Sequence, residues 1–167
     1  AGWVDNNGNG TLDKKLNNRV TELKLRLLVT PGGLGQLVAI HMQEQALKVG
    51  ISIEIIPKPI HLVLETVKNH DFEIAALSDS QFPGPDDPYG YWHSESYTGD
   101  GQNYTGFGSP KTDSIIDQIR HSEPGTLRTN LYKSLQKEIY EQQAAIFLFA
   151  PQNLMALSNK WEGRAAS

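Results

Sequence analysis

At 167 residues, 38% hydrophobic and 20% charged, the chain has the size and balance of one globular domain with a real core. A net charge of -4 with no Lys/Arg cluster excludes a nucleic-acid surface. The lack of cysteine excludes disulfides, cysteine-zinc sites and thiol catalysis, and no apolar run approaches the roughly 20 residues of a membrane-spanning helix. No signal peptide opens the chain. It begins at AGWVD without an initiating Met, which reads as a fragment or a processed chain.

The first 20 residues are rich in Asn, Asp and Gly. Asp5, Asn7, Asn9 and Asp13 place oxygen side chains at the spacing of the first half of an EF-hand loop, with Gly10 sixth. The twelfth position, where a bidentate Glu belongs, is Leu16. Calcium binding and a plain Asn/Gly turn both stay open, and the missing Glu favours the turn.

In residues 21–29, Leu23, Leu25 and Leu27 alternate with charged residues, which predicts a strand with one buried face. Thr30-Pro31-Gly32-Gly33 breaks it. Leu34, Val38, Met42, Ala46 and Val49 then follow a helical period that Gly50 stops. Residues 51–56 form an Ile-rich strand. Past Pro57 and Pro59, Ile60, Val63, Leu64 and Val67 mark a short helix, and residues 73–77 a third strand. Strand, helix, strand, helix, strand predicts a parallel sheet with crossover helices.

Residues 78–107 have no clean period, yet hold seven of the chain's 14 aromatics: Phe82, Tyr89, Tyr91, Trp92, Tyr97, Tyr104 and Phe107. That composition predicts an ordered loop rather than a disordered one. Rings beside carboxylates and amides suit a small-molecule or peptide site, and a cluster of the loop's own aromatics is the structural alternative. Ligands of open α/β sheets bind outside the carboxyl ends of the strands, so this loop is expected at that edge. The ligand-binding candidates are Ser78, Asp79, Gln81, Tyr89, Trp92, Asn103 and Tyr104. Asp86 and Asp87 before Pro88 read instead as a helix start.

After the loop, Ser109-Pro110 predicts an N-cap with Pro at the first helical position, then a helix bearing Ile115, Ile116 and Ile119. Leu127, Leu131, Leu135 and Ile139 predict a longer helix. The apolar run AIFLFA at 145–150 predicts a buried strand, and residues 154–157 a final edge strand before Trp161.

The turn at Gly32, Gly33 and Gly35 lacks the phosphate-loop and dinucleotide patterns and reads as a tight strand-to-helix turn. His41, His61, His70, His93 and His121 form no zinc spacing. His93 beside Ser94 and Glu95 evokes a hydrolytic triad, without the GxSxG elbow that would carry it.

These motifs, in this order, resemble the second lobe of the family 5 extracellular solute-binding proteins, the oligopeptide and dipeptide receptors of ABC importers. The resemblance rests on AGWVDNNGNGTLDK, QLVAIHMQEQALKVGISIEI, DDPYGYWHS, NYTGFGSPKTDSIIDQIR and RTNLYKSLQKEIYEQQAAIFLFAP. It implies an α/β, periplasmic-binding-protein-like (type II) lobe: a mostly parallel sheet flanked by helices, residues 1–167 forming one lobe. It implies a peptide or other small solute, a missing N-terminal lobe, a membrane permease as partner of the full-length protein, and an extracytoplasmic location, periplasmic or lipoprotein-anchored. No cofactor, catalysis or nucleic acid is implied. In relatives the loop after the third strand carries a Trp and an acidic residue that holds a peptide's α-amino group; here Leu77 stands near the Trp position and Asp79 is the nearest acidic match. An α/β hydrolase-like enzyme acting through His93 and a protein-interaction module using the 78–107 loop are the alternatives.

Overall fold

The computed structural model describes residues 2–78 and 87–150. It opens with a hairpin of β1 (Asp13–Leu16) and β2 (Arg19–Glu22), paired antiparallel. Asn17 and Asn18, with φ of 48° and 63°, form its two-residue turn, where Asn tolerates the left-handed region that matches strand twist. The hairpin lies where a turn alone was expected. It also divides the strand expected over 21–29. Leu23 separates β2 from β3 (Lys24–Val29), its N–H donating to Leu12 O at 2.7 Å while its carbonyl accepts from Ser52 N at 3.0 Å. One residue thus serves two sheets.

β3 is the centre of a parallel sheet of order β4-β3-β5, with β4 at Ser52–Pro57 and β5 at Ile74–Ala75. β5 is shorter than the strand expected over 73–77, although Ala76 N still donates to Leu28 O at 2.9 Å. The crossover helices are α1 (Gly33–Lys48) and α2 (Ile60–Lys68). Pleating sends Leu27 and Val29 to one face, packed with Ala39 of α1 and Ile53. Leu28 points to the other face, against Val63 and Val67 of α2. The sheet is therefore covered on both sides, as parallel sheets require.

The helices seat narrower faces than their apolar periods predict. Ala39 is fully buried in α1, whereas Leu34 and Val49 at the ends of the expected stripe are exposed. In α2, Val63 and Val67 are buried, but Ile60 and Leu64 are largely open. Gly50, with φ of 81°, closes α1 as expected, and a Cβ there would lie 2.7 Å from Leu12 Cγ.

After residue 87 the chain forms a helical half: α3 (Tyr89–Trp92), a short 3-10 turn (Ser94–Tyr97), α4 (Pro110–His121) and α5 (Thr126–Gln142). Ser109 caps α4 with Pro at its start, and Thr112 completes the reciprocal pair of cap hydrogen bonds. Ile116, Ile119, Leu135, Ile139 and Phe107 build the core here. The run 145–150 forms no strand: Ile146, Phe147, Leu148 and Phe149 are 54–73% exposed. A buried strand needs a neighbour on both edges and both faces, and no described segment supplies one. The edge strand expected over 154–157 lies outside the described residues. Among those described, no helix is long and apolar enough to cross a membrane.

Candidate functional site

The carboxyl ends of the three parallel strands share one edge, formed by Val29-Thr30, Pro57-Lys58 and Ala75 to Ser78. Lys58 N donates to Val29 O at 2.9 Å, extending the ladder to the rim. Its Nζ turns back to Thr66 Oγ1 at 3.2 Å. Leu77 and Ser78 follow β5 there and are exposed. Asp79 and Gln81, with Asp86 and Phe82, lie outside the described residues. At the same edge Gly32 and Gly33 both have positive φ, and Gly32 N donates to Gln36 Oε1 at 2.6 Å. The helix thus caps itself with its own side chain, as expected for a tight turn rather than a phosphate loop.

The aromatic loop folds largely upon itself. Trp92 meets Phe107 edge to face, centroids 5.5 Å apart, and packs on the α4–α5 core. Tyr89 stacks on His93 at 4.3 Å, carries Arg120 over its ring at 4.4 Å and donates its hydroxyl to Glu95 Oε2 at 2.6 Å. That hydrogen bond, made by the neutral phenol, is the main reason its pKa is raised. Asp87 accepts from Tyr89 N at 3.0 Å and pairs with Arg120 at 3.2 Å, which is the helix-start role expected of it.

Asn103 is 1% exposed. Both its amide protons go to main-chain carbonyls, His93 O at 3.0 Å and Phe107 O at 2.6 Å, and its Oδ1 accepts from Thr105. Its geometry is that of a strut. Tyr104 joins the α2 side of the sheet with Leu28, Val63 and Val67, and burial raises its pKa. The loop therefore does not stand at the carboxyl edge as one unit. Its stretch from Tyr97 to Tyr104 is tied to His70, which follows α2 and lies toward the opposite edge, because a crossover helix runs back down the sheet.

No triad forms. His93 Nδ1 accepts from Glu95 N at 3.2 Å, so the neutral ring carries its proton on Nε2, 3.9 Å from Asp113 and 4.0 Å from Asp117. Ser94 Oγ donates to Asp113 Oδ2 at 2.6 Å instead of to the histidine. A protonated Nε2 also has no lone pair for a metal.

The calcium candidates are engaged by their own loop. Asp5 accepts from the main-chain N–H of Gly8, Asn9 and Gly10 at 2.8, 3.2 and 2.9 Å. Asn7 accepts from Asn9 N, and Asn9 from Thr11 N. Asp13, 2% exposed, holds the backbone and side chain of Asn6. Among the described residues no group of three His, Cys, Asp or Glu is arranged to hold a metal.

Sequence reasoning weighed Glu95 only as the acid of a triad and gave no organising role to His70 or Asp113; all three organise the loop. Glu95 and Asp113 lie near it in sequence, but His70 meets partners 27 and 34 residues away, beyond any local pattern.

No protein-family model matches the chain. The oligopeptide-binding protein AppA of Bacillus subtilis (strain 168) is 29% identical over 168 residues, a match covering 98% of this chain and 30% of AppA. Its solved structure, in complex with a nonapeptide, superposes with a TM-score of 0.74 at 25% identity, over 86% of this chain and 28% of AppA. The oligopeptide binding protein of Thermus thermophilus, complexed with a pentapeptide, gives 0.72 at 18% identity, covering 86% and 26%. NikA of Brucella suis, in complex with Fe(III)-EDTA, gives 0.67 at 19%, covering 86% and 28%. The chain spans less than a third of the length of these proteins, and the fold shared with them is the α/β, periplasmic-binding-protein-like one expected. In sequence and in fold, this chain is similar to one portion of the oligopeptide-binding protein AppA.

Proposed function

We propose that this chain is one lobe of the solute-binding receptor of an ABC importer, taking peptides or similar small solutes and catalysing no reaction. The carrying observation is the likeness to the oligopeptide-binding protein AppA along nearly the whole chain, in sequence and in fold together. An open parallel sheet supports it physically, because its strand tips leave a crevice that a second lobe closes by hinge motion. In this reading Ser78, Asp79 and Gln81 supply polar contacts, Tyr89 and Trp92 apolar area, and Asn103 and Tyr104 hold the loop from behind. The missing N-terminal lobe and the membrane permease are its partners, and its place is extracytoplasmic, as a periplasmic protein or an anchored lipoprotein.

Peptide is preferred over a metal chelate because the oligopeptide-binding relative is the more similar in sequence. Mass spectrometry of small molecules co-purifying with the full-length protein tests the reading. Peptides are the expected finding; a chelate or sugar in their place would change the solute, and hydrolysis of a peptide added in trace would replace binding by catalysis.

A further inference from the structure

The chain has two cores, one on the sheet and one on α4 and α5, and a seam runs between them. His70 lies on that seam. Its Nε2 is 3.0 Å from Tyr97 O and its Nδ1 3.4 Å from Tyr104 O, and its ring stacks on Tyr97 with centroids 4.0 Å apart. Beside it Lys68 faces Asp100 at 3.9 Å, and the Tyr104 ring enters the sheet-side cluster. His70 has φ of 54°, a left-handed conformation in which a non-glycine residue is uncommon. The turn holds that backbone shape while one side chain reaches two points of the loop.

We propose that His70 is a positioning residue, a two-point clamp that registers the aromatic loop and the helical half against the parallel sheet. Without it, Tyr97 loses a ring partner, and the stretch from Tyr97 to Tyr104 keeps only the Lys68–Asp100 pair and the Tyr104 packing as its ties to the α2 side. For solute binding the clamp fixes the loop from its far end, away from the strand tips. The clamp does not depend on that reading, because it is measured without any solute.

The test is His70→Gly in the full-length protein, since glycine accepts the positive φ and removes only the ring. Amide hydrogen exchange at Gln102, Asn103 and Tyr104 should rise about tenfold, the scale of one hydrogen bond of modest net strength and a ring contact, since a neutral imidazole carries one N–H. Exchange in α1 and in α4 should stay unchanged. Added imidazole, refilling the gap between the Tyr97 ring and the two carbonyls, should restore protection. Unchanged exchange in the loop, an equal rise through the whole chain, or a loosening that imidazole does not reverse would each overturn the clamp. Failure of the wild-type protein to bind peptides would count against the proposed function and leave this measurement standing.

Discussion

Asn103 links two turns of the loop that the backbone alone would leave apart. Truncating it takes the amide donor from the buried Phe107 carbonyl and leaves His93 O with the Ser96 N–H alone. Asn103→Ala should therefore destabilise the fold by about 1–3 kcal/mol, as a shift in the denaturation midpoint. A change below the error of such a curve would mean that water replaces the amide. Two phenols supply a second residue-scale prediction. Tyr89 is raised first by its hydrogen bond to Glu95, and Tyr104 by burial. A raised phenol stabilises the fold in its neutral form. That contribution is whole below the ordinary value of about 10 and is lost as pH climbs through the folded values. Lys111, raised by its hydrogen bond to Glu138, acts in the same direction. Ultraviolet titration should show tyrosines ionising above the free value, with stability falling in that same alkaline window. Two phenols that titrate as free tyrosine would remove both contacts.

The elements separate into those whose cause is local and those whose cause is distant. α4 is local: its capping pair, its proline start and its buried Ile116 and Ile119 all lie within twelve residues. Residues 146–149 show the opposite case, since four consecutive exposed apolar side chains pair with no strand among the described residues. Such a segment is a template for association with other chains. Phe149→Lys should lower self-association of the isolated 167-residue chain in analytical ultracentrifugation without moving its denaturation midpoint by more than about 0.5 kcal/mol, as for an exposed site. A large loss of stability would show that the segment is packed. Phe147 is the less suitable choice because its ring lies 6.1 Å from that of Trp92.

For the whole molecule, the matched share of its relatives frames the binding prediction. The chain spans less than a third of AppA, and in the proposed reading it presents half of a crevice. Peptide affinity should accordingly be very weak or absent in the isolated chain and appear in the full-length protein, by calorimetry on both. In that longer protein Asp79→Ala should weaken peptides with a free α-amino group by roughly 2–5 kcal/mol, the loss on removing one partner of a desolvated charge pair. N-acetylated peptides should be indifferent to the change. Equal losses for both would take Asp79 out of the amino-group role.

Much of this architecture is written in short-range chemistry. The alternation of Leu25 and Leu27, the stop at Gly50, the proline pair around Lys58 and the Ser109-Pro110 cap each act over a few residues, so the βαβαβ order was legible from the sequence. The Asn/Gly turn and the capping by Asp87 were legible for the same reason. What the chain order could not carry was pairing at a distance. Whether residues 19–29 make one strand or two depends on Leu12 and Ser52, which compete for the two sides of Leu23. Whether Asn103 faces a solute or a carbonyl depends on how a loop closes, and that in turn depends on His70. Composition identified a ring-rich loop of unusual chemistry; only the tertiary structure decided which of its groups turn inward, because burial and hydrogen bonding are properties of neighbours that sequence separation does not reveal.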